Sequence, residues 1–263
     1  MRNTHTLIKN FLGALADGRV PGRVQRIYFD LVSALGFKTL KVRTRDGYIL
    51  SYLSRTRTIY VEIWQKHDYD FDDFNFEEGA VVVDIGANQG LFSVYAARNG
   101  ALVYAFEPLT ENLTILEENV SQNGMDNQVN IHKLAVTGNS YEADLFFGMG
   151  QGGDIISGSA SIVDNNRGGK IHATRKVKGI PINELLEFCS LTQCDFLKID
   201  CEGGEYNIFD NISVDNLRKF DRISLEFHRG DSDTICEKLK RAGFKILRQD
   251  KDESGLIKAQ LLK

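Results

Sequence analysis

The sequence predicts an α/β fold. We expect a mostly parallel sheet with helices on both faces. The sheet ends in an antiparallel C-terminal hairpin, and an N-terminal α+β appendage precedes it in the chain. From residue 80 onward, short apolar runs alternate with segments that repeat apolar residues at helical spacing. Two of these runs end in an acidic residue and a glycine-containing turn, which is typical of a strand leading into a helix. The last two runs are separated only by a short polar segment, which favours a hairpin.

The first 78 residues are expected to form the appendage, and residues 79–263 a second domain. In the appendage the apolar spacing predicts two helices, a hairpin around Arg45-Asp46-Gly47 and a third short strand. The helices are predicted at Leu7–Ala16 and Val24–Leu35, and the strands at Lys38–Arg43, Tyr48–Leu53 and Ile59–Ile63. Lys9 and Asn10 interrupt the first apolar stretch, so an amphipathic helix fits it better than a signal peptide.

The second domain is predicted to alternate strands and helices. The strands are Val81–Asp84, Ala101–Phe106, Val129–Leu134, Asp195–Asp200 and Arg222–Phe227, with a closing hairpin of Phe244–Leu247 and Leu256–Leu262. The helices are Leu91–Arg98, Glu111–Gln122, Glu184–Cys189, Glu205–Asp210 and Asp233–Ala242. Right-handed crossovers would place a ligand crevice at the carboxyl ends of the parallel strands.

A glycine-rich interruption, Phe147–Thr174, separates the third strand from the helix at Glu184. A structureless excursion of this length is unusual in a compact domain and is typical of a functional loop or lid. Its hydroxyl and amide side chains could hydrogen-bond a polyol. We therefore expect a loop that orders over such a bound ligand; a surface hairpin without a catalytic role is the alternative.

Composition limits the classes of function. The chain has 263 residues, 42% of them hydrophobic, a formal net charge of −4 and a pI near 5.8, so no global charge favours nucleic acid. No apolar run approaches the ~18 residues that a membrane span needs. The four cysteines form no C-x-x-C pair, which is typical of reduced thiols in the cytoplasm. The sequence carries no signal for a particular oligomeric state.

The sharpest motif is Val81-Val82-Val83-Asp84-Ile85-Gly86-Ala87-Asn88-Gln89-Gly90. Gly86 and Gly90 allow a tight turn and a close approach of the backbone to a ligand. Their G-x-x-x-G spacing differs from the G-x-G-x-x-G of a pyrophosphate-binding turn. The acidic residue at the strand end, Asp84, suits a cationic or amino-acid-bearing ligand better than a pyrophosphate.

Glu107 ends the next strand, seventeen residues after Gly90, where a carboxylate can accept both hydroxyls of a ribose. Adenosine joined to a positively charged amino-acid portion describes S-adenosylmethionine, which is therefore the predicted cofactor. The residues predicted to bind it are Asp84, Gly86, Asn88, Gly90, Glu107, Ala135 and Asp200.

A second motif, Lys198-Ile199-Asp200-Cys201-Glu202-Gly203-Gly204-Glu205, brings three carboxylates to the end of a neighbouring strand. With Asp84-Ile85-Gly86-Ala87-Asn88-Gln89-Gly90 and Phe106-Glu107-Pro108, it resembles the FkbM family of S-adenosylmethionine-dependent methyltransferases. Val61-Glu62-Ile63-Trp64 and Tyr69 look like the lead-in of that family. The resemblance covers about residues 58–247, and Gly204 departs from it, since alanine is more usual there.

The resemblance implies a Rossmann-like class I methyltransferase fold with a seven-stranded sheet. It also implies O-methylation of a hydroxyl on a sugar, glycan or secondary metabolite, so the expected partner is a small-molecule or glycan acceptor. A methyltransferase acting on nucleic acid is not favoured, because the chain lacks an Asn-Pro-Pro-Tyr-type base-binding block and has an acidic pI.

Deprotonation of an alcohol during methyl transfer needs a base. The candidates at the strand ends are Asp200, Glu202, Glu226 and His228. We favour Glu202 or His228 as the base, with Asp200 on the cofactor side. The alternative that Asp200, Glu202 and His228 bind Mg²⁺ or another divalent ion is not favoured, so no metal is predicted.

Two other functions stay open at this stage. A non-catalytic protein that binds S-adenosylmethionine or a partner could keep the fold without turnover. A Rossmann NAD-dependent oxidoreductase is less favoured because the glycine spacing differs from its fingerprint.

Overall fold

The structure, a computed structural model, describes residues 39–53, 56–149, 155–164 and 172–262. The strands are β1 (Thr39–Arg43), β2 (Ile49–Leu53), β3 (Val81–Ile85), β4 (Leu102–Phe106), β5 (Val129–His132), β6 (Ala135–Thr137), β7 (Glu142–Met149), β8 (Ile155–Ser161), β9 (His172–Pro181), β10 (Cys194–Ile199), β11 (Phe220–His228), β12 (Phe244–Gln249) and β13 (Ser254–Leu261). The helices are α1 (Arg57–Trp64), α2 (Leu91–Ala97), α3 (Thr110–Gln122), α4 (Leu185–Phe188), α5 (Glu205–Asn211), α6 (Val214–Leu217) and α7 (Ser232–Arg241). In these ranges no helix is both long and apolar enough to cross a membrane.

Seven strands form the main sheet in the order β12-β13-β11-β10-β3-β4-β5. The five strands from β11 to β5 are parallel, whereas β13 is antiparallel to both β11 and β12. The predicted α/β fold with a seven-stranded, mostly parallel sheet and a C-terminal antiparallel hairpin is therefore confirmed. Because β10 lies between β3 and β11, the motifs that end these three strands meet at one edge of the sheet.

Each face of the main sheet packs against its own hydrophobic core. Val82 and Phe196 belong to the cluster that α1, α2, α3 and the β1–β2 hairpin cover. Their chain neighbours Val83 and Leu197 belong to the cluster that α4, α5, α6 and α7 cover. Successive side chains of a strand point to opposite faces, so continuously apolar strands bury both. The sheet is thereby fixed between two layers.

The N-terminal segment confirms one prediction and corrects another. The β1–β2 hairpin turns at Arg45–Gly47, as predicted, and Gly47 has the left-handed φ of 94° that such a turn requires. The strand predicted at Ile59–Ile63 is wrong, because these residues lie in helix α1. Alternating β-branched residues favour a strand locally, but Tyr60 and Ile63, three positions apart, are both buried on one helical face. The helices predicted at Leu7–Ala16 and Val24–Leu35 lie outside the described residues.

The glycine-rich segment is not structureless, which corrects the loop predicted at Phe147–Thr174. In its described part β8 pairs antiparallel with β7, and β7 with β9, in a four-stranded sheet of order β6-β9-β7-β8. Glycines obscure the strand pattern because a residue without a side chain carries no alternation signal. The last residues of β8 and the one after it, Ala160, Ser161 and Ile162, line a cavity described below.

Asn119 of α3 connects the β1–β2 hairpin to the rest of the fold. Its buried amide accepts a hydrogen bond from the Ser51 backbone N–H at 2.6 Å and donates to the carbonyls of Ser51 and Gln89, each at 2.7 Å. The hairpin also contributes Leu40 and Tyr52 to the hydrophobic core on this face of the main sheet. The division of the chain at residue 78 stays a prediction.

We expect Asn119→Ala to lower the free energy of unfolding by about 3 kcal/mol, because it leaves buried backbone groups of Ser51 and Gln89 without their partners. Urea titration followed by circular dichroism measures the change. Asn127→Ala, at an exposed turn position, is the matched control and should shift stability by less than about 0.5 kcal/mol. Equal stabilities of the two variants would contradict the connecting role of Asn119.

Candidate active site

A single cavity opens at the carboxyl ends of β3, β4, β10 and β11 and brings together most of the predicted site residues. Those that line it are Gly86, Asn88, Glu107, Ala135, Asp200, Glu202 and His228. Further walls come from α1 and β8. This position is the one expected for a ligand crevice in an open sheet with parallel strands.

Asp84 and Gly90 lie behind the cavity lining and support it. Asp84 is fully buried and accepts a hydrogen bond from the hydroxyl of Ser93 at 2.7 Å. The ammonium of Lys198, directly opposite on β10, pairs with Asp84 at 3.1 Å and donates to the carbonyl of Gly86 at 2.8 Å. Burial lowers the pKa of Lys198, but the carboxylates of Asp84 and Asp200 outweigh it and raise this pKa. Lys198 therefore stays protonated and holds the glycine turn.

Gly86 is required because the end of β10 lies directly against the turn. Its φ is 75°, and a Cβ atom built there would lie 1.9 Å from the carbonyl oxygen of Asp200. The backbone N–H of Asp200 donates to the carbonyl of Ile85 at 3.0 Å, so the two strand ends are in contact. Gly90, with a φ of 77°, begins α2 against Leu116 of α3. At both positions the positive φ and the close packing favour glycine, because a side chain would be strained and would collide with its neighbours.

Glu107 forms the floor of one end of the cavity. Its carboxylate accepts hydrogen bonds from the backbone N–H groups of Asn88 at 2.9 Å and Leu109 at 2.8 Å. Burial raises the pKa of Glu107 to about 7, although these hydrogen bonds lower it. Among the described residues, the buried side-chain oxygens of Asn88 and Asn112 accept no hydrogen bond. This end of the cavity therefore offers three side chains whose acceptor oxygens suit the donors of a ligand.

The other end of the cavity is a network of carboxylates held by two donors. The hydroxyl of Tyr69 lies 3.2 Å from Asp200 Oδ2 and 3.1 Å from Glu226 Oε2. The ring of His228 lies between Glu205 Oε1, at 3.2 Å from Nδ1, and Glu226 Oε1, at 3.5 Å from Nε2. Burial lowers the pKa of His228, but the bonds with Glu205 and Glu226 raise it to about 11. His228 is therefore an imidazolium at neutral pH.

Two carboxylates of this network differ in the direction in which their pKa is shifted. Burial raises the pKa of Asp200 to about 6, and the nearby Lys198 lowers it. In Glu226 the bonds from His228 and Tyr69 outweigh burial and hold the pKa below its ordinary value. Glu226 is thus an ionised partner of His228, whereas Asp200 titrates closer to neutrality.

Glu205 and Glu202 shape the turn that follows β10. The Glu205 carboxylate accepts hydrogen bonds from the backbone N–H groups of Cys201 at 3.0 Å and Gly203 at 2.7 Å. Glu202, between them, has a left-handed φ of 56°. Such a conformation costs energy for a residue with a side chain and often marks a functional site.

The metal ligands considered from sequence, Asp200, Glu202 and His228, are not the group that the structure brings together. Ligand atoms of Asp200, Glu226 and His228 lie within 4.8 Å of one another. Lys198 lies 3.7 Å from Asp200, and Tyr69 and His228 already supply donors to this group. The arrangement is thus a set of mutually neutralising charges that protein donors satisfy.

Glu62 was noted only as part of the family lead-in, and sequence reasoning missed its place in the cavity wall, which it lines from α1. The erroneous strand at Ile59–Ile63 hid it, because only the helical assignment places Thr58, Ile59 and Glu62 on one wall. Tyr69 was noted as part of a family lead-in, but its contacts with Asp200 and Glu226 join residues more than 130 positions apart. No local pattern signals such a contact.

We expect Gly86→Ala to lower the free energy of unfolding by about 3 kcal/mol or more, because its Cβ would collide with the backbone of Asp200. Gly124→Ala is the matched control: it has a similar left-handed φ of 68° but meets nothing within 4 Å. The control should cost only the conformational strain, about 1 kcal/mol. Equal losses in thermal or urea denaturation would contradict the close approach at Gly86.

A family model described as the methyltransferase FkbM domain matches residues 84–246. The chain is 27% identical to the AMB antimetabolite synthetase AmbE of Pseudomonas aeruginosa over 89% of its own length, yet it spans only 13% of AmbE. It is 21% identical to Methyltransferase 1 of Beauveria bassiana, covering 78% of this chain and 89% of that protein.

Among solved structures, FkbM from Methylobacillus flagellatus is similar with a TM-score of 0.46 and 13% identity, over 76% of this chain and 47% of that one. The family match covers more than half of the chain and confirms the resemblance seen in the motifs around Asp84, Glu107 and Asp200. The chain belongs to the FkbM methyltransferase family and carries the methyltransferase domain of that family.

Proposed function

We propose that the protein transfers the methyl group of S-adenosylmethionine to a hydroxyl oxygen of a small-molecule or glycan acceptor. The observation that carries this proposal is the two-ended cavity: Asn88 and Glu107 line it with Glu62, Asp200 and Glu226. An alcohol must lose its proton as the new bond to carbon forms, so carboxylates are needed beside the acceptor.

The cofactor fits the end of the cavity formed by Glu107. A carboxylate fixed by two backbone N–H groups can accept both ribose hydroxyls, and the buried oxygens of Asn88 and Asn112 need donors such as hydroxyl or amino groups. The cofactor supplies a methyl group on a sulfonium, which is a good leaving group. Gly86 lets the turn that lines this end lie directly against the backbone of Asp200, which any larger residue would strike.

The protein's own part in catalysis is then to orient the acceptor and to move a proton. We assign Asp200 and Glu202, which line the cavity after β10, to the binding of the acceptor beside the cofactor. His228 is a less suitable base than the sequence suggested, since an imidazolium with a pKa of about 11 has no free lone pair. It instead holds Glu226 and Glu205 in place.

The same charges favour an uncharged acceptor over a nucleic acid. Glu62, Glu202 and Glu226 line the cavity, and carboxylates repel a phosphodiester backbone. All four cysteines, which lie in the described part of the chain, are free thiols, and this supports the proposed cytoplasmic location.

Affinity for the product S-adenosylhomocysteine should rise about tenfold from pH 6 to pH 8. With a pKa of about 7, Glu107 is mostly protonated at pH 6, and only its ionised form can accept two ribose hydroxyls. Isothermal titration calorimetry at each pH measures the dissociation constant. Glu107→Gln should bind more weakly and lose the dependence, whereas Glu117→Gln, at an exposed position of α3, should keep it. A tenfold rise that persists in Glu107→Gln would exclude Glu107 as its source.

The proposed reaction is tested by incubating the full chain with methyl-labelled S-adenosylmethionine and separate acceptor pools. The pools are hydroxyl-bearing sugars and glycosides, a small-molecule extract of the source organism, amines and total RNA. We expect label in a methyl ether formed from a compound of the first two pools. Glu107→Gln should slow this labelling at subsaturating cofactor. Label found only in amines or RNA would overturn O-methylation, while binding without transfer to any pool would indicate a non-catalytic protein.

A further inference from the structure

Glu62 belongs to the lead-in motif but was not among the residues predicted for the site. It lies on α1, which precedes the main sheet in the chain, and its side chain lines the same cavity as Asp200 and Glu226. Thr58 and Ile59 of the same helix line the cavity too, so α1 forms a continuous part of its wall.

The other carboxylates of the cavity are already engaged. Asp200 is bound by Tyr69 and Lys198, Glu226 by Tyr69 and His228, and Glu107 by two backbone N–H groups. Glu202 likewise has an interaction partner. The carboxylate of Glu62, by contrast, makes no hydrogen bond or ion pair within residues 39–53, 56–149, 155–164 and 172–262. Its lone pairs are free to accept a donor that enters the cavity.

The surroundings of Glu62 make it a stronger base than an ordinary glutamate. Burial, followed by the negative charges of Glu226 and Asp200, raises its pKa to about 7. Asp68 acts in the same direction, and Lys66, on the solvent side, lowers the pKa. A base with a pKa near the working pH is the most effective in general-base catalysis, because it is ionised yet still basic.

We propose that Glu62 is the general base that removes the proton of the acceptor hydroxyl, a role that rests on the O-methyltransferase function proposed above. The acceptor oxygen forms a bond to the methyl carbon while the carbon–sulfur bond breaks and its electron pair stays on sulfur. The hydroxyl proton passes to a carboxylate oxygen of Glu62. Because Glu62 is only partly buried, it then releases the proton to water.

The test compares Glu62→Gln and Glu62→Asp with the parent chain, using methyl-labelled S-adenosylmethionine and the pool that accepts label. Glu62→Gln should lower kcat by about 100-fold and remove the rise of the rate near pH 7. Glu62→Asp should keep part of the rate and a displaced pH profile. The dissociation constant of S-adenosylhomocysteine should change less than twofold in both, which shows that the variants are folded and hold the cofactor.

Two further variants distinguish the role of Glu62 from the roles of other carboxylates. Glu117→Gln, on the exposed side of α3, should match the parent in rate and pH profile. Glu202→Gln should weaken acceptor binding, raising KM, but keep the rise near pH 7. If Glu202→Gln removes that rise and Glu62→Gln does not, Glu202 is the base and the proposal is overturned.

Different results would contradict the role of Glu62 and the proposed O-methylation. A parent chain that labels a hydroxyl acceptor, with Glu62→Gln equally fast at every pH, overturns the role of Glu62 alone. A parent chain that labels no hydroxyl acceptor overturns O-methylation and the base assignment together.

Discussion

The buried ammonium of Lys198 is the contact on which the site depends. It joins the carboxylate of Asp84, the carbonyl of Gly86 and, at 3.7 Å, the carboxylate of Asp200, so it connects the ends of β3 and β10. A charge this deep is tolerated only when it is paired, and loss of either partner of such a pair typically costs about 3–5 kcal/mol. The turn and the carboxylate motif therefore cannot move independently.

The charged groups around this contact are of two kinds: cations that stay protonated at neutral pH, and carboxylates that titrate near neutral pH. Lys198 and His228 neutralise the buried acids beside them, and their raised pKa values keep both cations protonated at neutral pH. Glu107 and Glu62 each have a pKa of about 7, at opposite ends of the cavity, because burial opposes their ionisation. The first group holds the backbone in place, and the second group titrates near neutral pH.

Local sequence was sufficient for features that one strand and its turn determine. Asp84 and Gly86 lie within one short stretch of the chain and the carboxylates after β10 within another, so their pattern predicted the fold and the edge of the sheet at which the cavity opens. Glu62 escaped because its surrounding residues are β-branched and favour a strand, whereas packing against α2 selects a helix. The strands within Phe147–Thr174 escaped because glycine removes the alternation that identifies a strand. Both errors concern the cavity walls that α1 and β8 form, where long-range contacts decide the structure.

Helix α1 lies before residue 84, where the match to the family model begins, yet it forms part of the cavity wall. In the proposed reaction the matched segment binds the methyl donor, while α1 adds to the cavity a wall that lies outside that segment. Such a division makes the lead-in the natural place to retarget the enzyme. Substitutions at Thr58 or Ile59 would reshape this wall of the cavity without changing the strand ends to which we assign the donor.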